Sequence, residues 1–442
     1  MLWDVSIMVS SGSIISYAVV VLVHMAELCS AHSPSPSESL IVPLTTQQVP
    51  WESIPRPESR IPLTQNISLS ITVMVGSPPQ RVTMVVDTGS ELSWLPCNTS
   101  RGKTTSFDPT QSLSYNPVSC DSFTCRNRTL DFTIPASCDL KNLCHATLSY
   151  ADASSSEGNL AIESFRFGNT DIPEMVFGCM ESLYSTNLEN DMNDAGLLGM
   201  NRGSLSIVSQ MALTEFSYCI SSTNLPGFLV LGKSNLTLML NFSYTPLINL
   251  SVPLPYFDRF AYTVQMVGIK VSDILLPIPS FVFVPDHTGA GQTMVDSGTQ
   301  FSFLLGEAYT ELRREFLKQT SSILKPLDDP NYVFQGAMDL CYLVPLWRES
   351  FAQLPSVSLV FEGSALTIPG ERILYQAPGE MRDNCSIYCL SFGNSDLLGV
   401  EAYLIGHYHQ QNVWVNVDVE NSRLGVAEVQ CDSETDKLGM AL

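Results

Sequence analysis

Positive charge is scarce in this chain. Its 442 residues include 22 Lys and Arg against 44 Asp and Glu, and the formal net charge at pH 7 is −22. So few cations offer little attraction to the phosphates of nucleic acids or to anionic lipid headgroups. We therefore expect neither nucleic acid nor an anionic membrane surface as a partner. The excess of carboxylates suits work at low pH, where these groups become neutral and repel each other less.

The sequence also lacks the signatures of two common hydrolase classes. It has no Gly-x-Ser-x-Gly motif, which serine hydrolases use, and no His-Glu-x-x-His motif, which zinc peptidases use. No Cys-x-x-Cys pair occurs either, so disulfides are a better interpretation of its cysteines than zinc sites. A serine hydrolase and a metalloprotease therefore have no support in the sequence.

One apolar run suits membrane targeting, and it lies near the start of the chain. Residues 14–31 contain an apolar core at 18–23 and end in the small residues Ser30 and Ala31. This pattern predicts a secretory signal peptide over residues 1–31. A retained signal anchor is disfavoured because the run is short and is followed by His24 and Glu27. No later stretch is long enough to span a membrane, so we expect no stable membrane anchor.

Against these absences stands a repeated motif. Residues 84–90 read Met-Val-Val-Asp-Thr-Gly-Ser, and residues 293–299 read Thr-Met-Val-Asp-Ser-Gly-Thr. The apolar residues predict a strand that enters a core, the glycine permits a sharp turn, and the hydroxyls can donate hydrogen bonds to a buried carboxylate. A single copy could be a simple turn after a strand. Two copies are far rarer by chance, which favours a functional pair.

The two aspartates of this repeat, Asp87 and Asp296, suit acid and base chemistry. Two carboxylates in contact share one proton, because like charges cannot both form cheaply, and their pKa values are driven apart. The ionised carboxylate can then deprotonate a water while the protonated one polarises a peptide carbonyl, as in the paired aspartates of pepsin. The sequence therefore resembles the pepsin-like aspartic endopeptidases, and the resemblance runs over residues 67–431.

This resemblance implies an all-β fold with a few short helices, in which two homologous lobes enclose an active-site cleft. A composition of 45% hydrophobic and 15% charged residues is enough for two large cores. We expect a Pro- and Ser-rich linker or short prosegment at 32–62, an N-terminal lobe at 63–243 and a C-terminal lobe at 244–442. The N-terminal lobe would contain a cysteine-rich insertion, which resembles the nepenthesin-type plant branch, and a flap at 145–167. One helix is predicted over 306–318 by its apolar stripe.

The resemblance also implies roles for residues beside the catalytic pair. The supporting and substrate-binding residues would be Thr88, Gly89, Ser90, Trp94, Tyr150, Ser297, Gly298 and Thr299. Thr88 and Ser297 would interlock the two loops, while Ser90 and Thr299 would hydrogen-bond the outer carboxylate oxygens. Trp94 would hydrogen-bond Tyr150 in the flap, although a tryptophan at this point can also be plain core filling and the hairpin plain exposed surface.

Disulfide pairing is likewise implied by the nepenthesin-type pattern. Of the 12 cysteines, Cys29 falls in the predicted signal peptide. The expected pairs are Cys120–Cys144, Cys125–Cys138, Cys97–Cys179, Cys219–Cys431 and Cys341–Cys389. Cys385 is left without a partner, and an exchange of Cys385 for Cys389 is the alternative that remains open.

The sequence therefore predicts an endopeptidase that acts on polypeptides at acidic pH, and the resemblance adds a role in plant cell survival. The alternative is a catalytically weak or inactive binding or inhibitor protein on the same fold. We expect no cofactor and no metal, because no acidic or cysteine ligand stands beside His407 and His409. We expect a monomer in the secretory pathway, either secreted or in the lumen of the endoplasmic reticulum. Seven Asn-x-Ser/Thr sites agree with that route, at Asn66, Asn98, Asn127, Asn235, Asn241, Asn249 and Asn384.

Overall fold

A computed structural model describes residues 39–48, 67–97, 107–184, 195–235, 240–348 and 350–437. The predicted signal peptide at 1–31 lies outside the described residues. No helix among the described residues is long and apolar enough to cross a membrane.

Strands dominate the described chain. The first half contains β1 (Leu40–Gln48), β2 (Ile67–Val75), β3 (Gln80–Asp87), β4 (Trp94–Pro96), β5 (Asn116–Pro117), β6 (Ser137–Cys138), β7 (Cys144–Ser149), β8 (Ser155–Phe167), β9 (Thr170–Tyr184), β10 (Gly196–Gly199), β11 (Glu215–Cys219) and β12 (Gly227–Leu231). The second half contains β13 (Ser243–Pro246), β14 (Thr263–Val264), β15 (Met266–Val271), β16 (Ile274–Leu275), β17 (Gln292–Val295), β18 (Ser302–Leu304), β19 (Lys325–Pro326), β20 (Cys341–Pro345), β21 (Val357–Phe361), β22 (Ser364–Ile368), β23 (Leu374–Arg382), β24 (Cys385–Leu390), β25 (Phe392–Asn394), β26 (Ala402–Ile405), β27 (Val413–Asp418) and β28 (Arg423–Glu428).

Helices are few and mostly short. Among the described residues, the α-helices are α1 (Ile207–Gln210), α2 (Gly306–Thr320) and α3 (Cys431–Lys437). Single turns of 3₁₀- or π-helix occur at Pro109–Gln111, Thr124–Arg128, Ser280–Phe283, Gly370–Arg372, Ser395–Leu398 and His407–Gln410. Helix α2 confirms the helix predicted at 306–318, since Tyr309, Leu312 and Phe316 on its apolar stripe are buried.

The two copies of the motif occupy equivalent places in two sheets. One sheet of 15 strands runs in the order β13-β28-β27-β11-β12-β1-β2-β3-β10-β4-β9-β8-β7-β6, with β5 added beside β8. A second sheet has the order β14-β17-β26-β18-β25. In each sheet the strand that leads to the motif lies parallel to a later strand that ends near a glycine, β3 with β10 and β17 with β26. The internal repeat of the sequence is therefore also a repeat of structure.

Strand β1 lies within the predicted linker or prosegment. Residues 40–48 pair with β12 on one side and with β2 on the other, deep inside the large sheet. Val42 is 3% exposed and Leu44 is 2% exposed, so this strand contributes to the main core. The structure thus has a core strand inside the stretch predicted as a linker or prosegment over 32–62. The sequence did not indicate this strand, because an alternation of only two buried residues is too short to be recognised in a Pro- and Ser-rich stretch.

Three disulfides are those that the sequence predicted: Cys97–Cys179, Cys219–Cys431 and Cys341–Cys389. Among the described cysteines, Cys385 is free. It lies opposite Pro345 on the ladder in which Cys341 faces Cys389, which explains why Cys389 and not Cys385 has the partner.

The two pairs of the cysteine-rich insertion are exchanged relative to the prediction. The structure joins Cys120 with Cys138 and Cys125 with Cys144, so the predicted pairs Cys120–Cys144 and Cys125–Cys138 are wrong. Cys120 and Cys125 are each 7% exposed, so burial does not choose between them. The positions of the Cα atoms do, because that of Cys120 lies 5.5 Å from that of Cys138 and that of Cys125 lies 5.7 Å from that of Cys144.

Candidate active site

The two motif aspartates stand where their strands end. Asp87 is the last residue of β3, and its carbonyl accepts a hydrogen bond of 2.9 Å from the backbone N–H of Met200. Asp296 follows β17 directly, and its own N–H donates to the carbonyl of Ile405 over 3.0 Å. Each aspartate is therefore held by the parallel strand beside it.

The hydroxyl residues after the aspartates join the two loops. The N–H of Thr88 donates to Oγ of Ser297 over 3.1 Å, and the N–H of Ser297 donates to Oγ1 of Thr88 over 2.9 Å. The Ser297 hydroxyl then donates to the carbonyl of Val86 over 2.9 Å. Thr88 and Ser297 are each 1% exposed, so these hydrogen bonds form where water cannot replace them. The structure thus contains the interlock that the resemblance implied.

The carboxylates face each other across the two glycines. A methyl group on Gly89 would lie 2.9 Å from Oδ1 of Asp296, and one on Gly298 would lie 2.9 Å from Oδ2 of Asp87. Both contacts are shorter than real methyl groups allow, so only glycine lets the loops approach this closely. The inner oxygens accept backbone N–H donors, from Gly89 to Asp87 over 2.8 Å and from Gly298 to Asp296 over 2.9 Å.

The outer carboxylate oxygens are held by the last hydroxyl of each motif. Ser90 donates its hydroxyl to Oδ2 of Asp87, and Thr299 donates its hydroxyl to Oδ2 of Asp296 over 2.5 Å. Ser90 and Thr299 therefore lie where the sequence placed them, one on each carboxylate.

The environment favours a proton on Asp87. Burial, followed by the charge of Asp296, raises the pKa of Asp87 to about 7. The hydrogen bonds from Ser90 and Gly89 oppose this rise because they stabilise the ionised carboxylate. At acidic pH the pair can therefore keep one proton.

A hairpin of β7 and β8 places Tyr150 beside Trp94. Nε1–H of Trp94 donates to the Tyr150 hydroxyl over 2.6 Å. The turn after Tyr150 closes with a hydrogen bond of 3.0 Å from its N–H to the carbonyl of Ser154. Burial raises the pKa of Tyr150, with a smaller contribution from the charge of Asp87, so the hydroxyl remains protonated. Trp94 is half-buried and hydrogen-bonded, which favours the flap contact over plain core filling.

Comparisons with known proteins agree with this geometry. Two family models match the chain, described as xylanase inhibitor N-terminal over residues 70–233 and xylanase inhibitor C-terminal over residues 261–428. The aspartic proteinase PCS1 of Arabidopsis thaliana is 57% identical over 408 residues, which cover 91% of this chain and 90% of that protein. The chain belongs to the plant aspartic proteinases.

Two further similarities place this plant aspartic proteinase within its family. The aspartic proteinase nepenthesin-1 of Nepenthes gracilis is 31% identical over 368 residues, which cover 82% of this chain and 77% of that protein. The crystal structure of edgp superimposes with a TM-score of 0.66 at 17% identity, over 91% of this chain and 98% of that one, which shows a shared fold. Family and fold make the chain an aspartic endopeptidase with the bilobal pepsin-like architecture. An inactive binding protein is not favoured.

Two serines of this proteinase were missed by sequence reasoning. Ser93 accepts a hydrogen bond of 3.0 Å from the N–H of Gly199, and Ser302 accepts one of 3.1 Å from the N–H of Gly406. Both serines are fully buried and stand at the same position in the two repeats, after Asp87 and Asp296. That shared position was the available signal.

Gln410 is a further supporting residue that the sequence did not reveal. Its side-chain amide donates to the carbonyl of Asp296 over 3.3 Å and to that of Ile405 over 2.7 Å, and its Oε1 accepts the Tyr218 hydroxyl over 2.6 Å. Tyr218 belongs to β11 in the large sheet, so this chain of contacts ties the backbone of Asp296 to that sheet. No local pattern signals a contact between residues so far apart in sequence.

His407 and His409 lie in the core beside the Asp296 loop. His407 contacts the carbonyl of Ile67 over 3.2 Å, and His409 contacts Ser302 and Ser391. Burial lowers the pKa of His407 to about 4 and that of His409 to about 3, so both rings are neutral over most of the acidic range. Among the described residues, no group of three His, Cys, Asp or Glu side chains could hold a metal ion.

Proposed function

We propose that Asp87 and Asp296 are the catalytic pair of this aspartic endopeptidase. The observation that supports the pair most directly is that each carboxylate lies against the glycine of the other motif, with a hydrogen bond between the two carboxyl groups. The pKa of Asp87 near 7 supports a division of roles, with Asp87 as the acid and Asp296 as the base.

The reaction needs one water and no cofactor. Asp296 takes a proton from a water held between the carboxylates, and the water oxygen bonds to the peptide carbonyl carbon while Asp87 gives its proton to the carbonyl oxygen. The resulting tetrahedral species breaks its carbon–nitrogen bond as the amine nitrogen receives the proton from Asp296. The carbonyl of the new carboxyl group reforms as its hydroxyl returns a proton to Asp87, so the pair ends as it began.

The surrounding residues hold this arrangement and admit a polypeptide. Thr88 and Ser297 fix the distance between the loops, and Ser90 and Thr299 orient the outer oxygens. The hairpin that carries Tyr150 would close over an extended substrate and exclude bulk water, as lids over active sites do. The proposed working pH is acidic, because Asp87 has to keep its proton.

We also propose that the protein is a monomer of the secretory pathway, secreted or in the lumen of the endoplasmic reticulum, with a role in plant cell survival. Its five disulfides suit an oxidising compartment. The described sequon asparagines have exposed side chains, at positions 127, 235, 241, 249 and 384. The division into lobes at 63–243 and 244–442 stays a prediction, which the separate family matches on either side support.

Cleavage of a denatured protein substrate between pH 3 and 7, with and without pepstatin, tests the proposal. Asp87→Asn and Asp296→Asn should each abolish cleavage while the near-UV circular dichroism stays unchanged, because groups that share one proton lose function together. The exposed Asp273→Asn is the matched control and should retain wild-type activity.

Retention of more than about a tenth of the activity in either catalytic variant would contradict the pair, since removal of such a unit costs orders of magnitude. A wild-type protein that is folded and binds partners but cleaves nothing at any pH would instead support the inactive binding protein.

A further inference from the structure

The ring of His409 lies between two serines beneath the loop that carries Asp296. Nδ1 is 2.6 Å from Oγ of Ser302, and Nε2 is 2.7 Å from Oγ of Ser391. All three side chains are 0% exposed, so these contacts have no competition from bulk water. The ring also stacks on Phe392, with 4.2 Å between the ring centroids.

The hydrogen-bond partners determine which nitrogen of His409 carries the proton. Ser391 donates its hydroxyl to the carbonyl of Ile373 over 2.9 Å, so its oxygen accepts from Nε2–H. Nδ1 then has a free lone pair and accepts the hydroxyl of Ser302. Ser302 in turn accepts the N–H of Gly406 over 3.1 Å. The result is one directional chain from Gly406 through Ser302 and His409 to Ser391, which needs a neutral ring.

Several features keep this ring neutral. Burial lowers the pKa of His409 to about 3, and the positive charge of Arg372 and the neighbouring His407 act in the same direction. Protonation of Nδ1 would place two donors, Nδ1–H and the Ser302 hydroxyl, against each other. The neutral ring that this chain of hydrogen bonds needs is therefore present over most of the acidic range.

Gly406 connects this chain to the catalytic loop. A methyl group on Gly406 would lie 2.7 Å from the carbonyl oxygen of Gln300, so the loop rests directly on this backbone. The residues on either side also hold the loop, because Ile405 accepts the N–H of Asp296 over 3.0 Å and His407 donates its N–H to Thr299 over 2.8 Å. A displacement of Gly406 would therefore move the segment from Asp296 to Gln300.

The first lobe has no histidine at the position that corresponds to His409. Ser93 accepts the N–H of Gly199 just as Ser302 accepts that of Gly406. The residue that corresponds to His409, however, is Arg202, whose guanidinium donates to the carbonyls of Arg259 over 2.7 Å and Ala261 over 2.8 Å. The histidine acts on one aspartate of the pair and not on the other.

We propose that His409 is a positioning residue for Asp296, which acts by accepting the Ser302 hydroxyl and so fixing Gly406 beneath the catalytic loop. This inference rests on the proposed function of Asp296 and adds a residue that the two repeated motifs do not contain.

Two substitutions distinguish the contact of Nδ1 with Ser302 from the contact of Nε2 with Ser391. In His409→Asn the amide oxygen can take the place of Nδ1 and still accept from Ser302. In His409→Gln the longer amide can take the place of Nε2 and donate to Ser391, but Ser302 loses its acceptor. Both variants lose the ring and its contact with Phe392, so they form a matched pair for stability.

Steady-state kinetics on a peptide substrate, with melting temperatures for both variants, provide the test. We expect His409→Gln to lower kcat about tenfold with KM within a factor of two, because a misplaced catalytic group affects the transition state more than substrate binding. His409→Asn should retain kcat within about threefold of wild type, as a variant that keeps the positioning contact. Equal losses of kcat in both variants, no loss in either, or a larger loss in His409→Asn would overturn the proposal.

Serine variants keep the test decisive if either histidine variant does not fold. Ser302→Ala should lower kcat as His409→Gln does, whereas Ser391→Ala should leave kcat near wild type; the reverse order would overturn the proposal. Wild-type cleavage that Asp87→Asn abolishes establishes the proposed function in the same assay, whatever the histidine and serine variants do. A folded wild type without cleavage would overturn the proposed function, and this inference with it.

Discussion

At the scale of single residues, the two aspartates differ in their surroundings although their motifs are alike. Asp87 is 8% exposed and accepts hydrogen bonds from Ser90 and Gly89, yet burial and the charge of Asp296 still raise its pKa to about 7. The desolvation of the carboxylate outweighs the hydrogen bonds that favour its ionised form. This balance supports the proposed role of Asp87 as the acid of the pair.

Loss of the Ser90 donor should shift the pH profile upward. Ser90→Ala removes a hydrogen bond that lowers the pKa of Asp87, so Asp87 should stay protonated to a higher pH. Because activity requires that proton, the alkaline limb of kcat/KM should move to higher pH, by roughly half a unit to one unit for a hydrogen bond of this kind.

Profiles of kcat/KM between pH 3 and 8 measure the shift. The exposed Ser272→Ala is the control and should reproduce the wild-type profile. An alkaline limb that stays in place or moves to lower pH in Ser90→Ala would show that the hydroxyl does not stabilise the ionised carboxylate.

At the scale of elements, the interlock of the two loops and the flap hairpin act on the same cleft. The interlock uses five buried groups at the ends of β3 and β17, namely the N–H and hydroxyl groups of Thr88 and Ser297 and the carbonyl of Val86. The hairpin of β7 and β8 contributes one hydrogen bond, from Trp94 to Tyr150. We therefore expect a change in the interlock to affect stability, and a change in the flap contact to affect catalysis.

Thr88→Val should destabilise the protein while keeping its shape. The substitution removes Oγ1, so the buried N–H of Ser297 loses its acceptor, whereas the N–H of Thr88 still reaches Ser297. An unsatisfied buried donor costs about 1–3 kcal/mol of the free energy of unfolding. Thermal or urea unfolding measures the loss, with Thr170→Val at an exposed strand position as the control. A Thr88→Val protein as stable as the wild type would mean that the interlock contributes no stability.

Trp94→Phe should slow cleavage by loosening the flap. The substitution leaves an aromatic ring but removes the donor to Tyr150. A lost hydrogen bond of about 1 kcal/mol corresponds to a fall in kcat/KM of roughly five- to tenfold, if it holds the flap over the substrate. Trp347→Phe at a residue that is 79% exposed is the matched control. Equal kcat/KM values for Trp94→Phe and the control would indicate that Trp94 only fills space.

At the scale of the whole molecule, the large sheet joins the flap hairpin of β7 and β8 to β27 and β28, the last two strands of the described chain. Strand β1 lies in its middle, between β12 and β2, and β27 and β28 from the second half of the chain continue it. Removal of β1 would leave two exposed strand edges and uncover the side chains that Val42 and Leu44 cover. We therefore predict that residues 40–48 stay in the working enzyme and are not discarded on maturation.

A buried charge in β1 tests this conclusion. Val42→Asp should destabilise the active enzyme by several kcal/mol, because it places an unpaired carboxylate where the wild-type side chain is 3% exposed. Thr46→Asp in the exposed part of the same strand should have little effect. If residues 40–48 were removed during maturation, the melting temperatures of the two active variants would be equal.

The sequence by itself determined the chemistry of this protein and most of its local structure. The repeat of Asp87 and Asp296 with their hydroxyl and glycine neighbours is a local pattern, and so are the apolar stripe of α2 and the alternation that leads to Asp87. Such patterns can be recognised in the sequence because each depends only on residues that are close together along the chain.

Only the tertiary structure decided the contacts between distant residues. Whether Cys144 pairs with Cys120 or with Cys125 depends on which of the two the fold brings within disulfide distance, and sequence order does not encode that distance. The contacts of strand β1, of Ser93 and Ser302 and of the His409 ring also join residues that are far apart along the chain. Their partners are brought to them by sheet pairing and by the packing of one loop on another, which are properties of the folded chain as a whole.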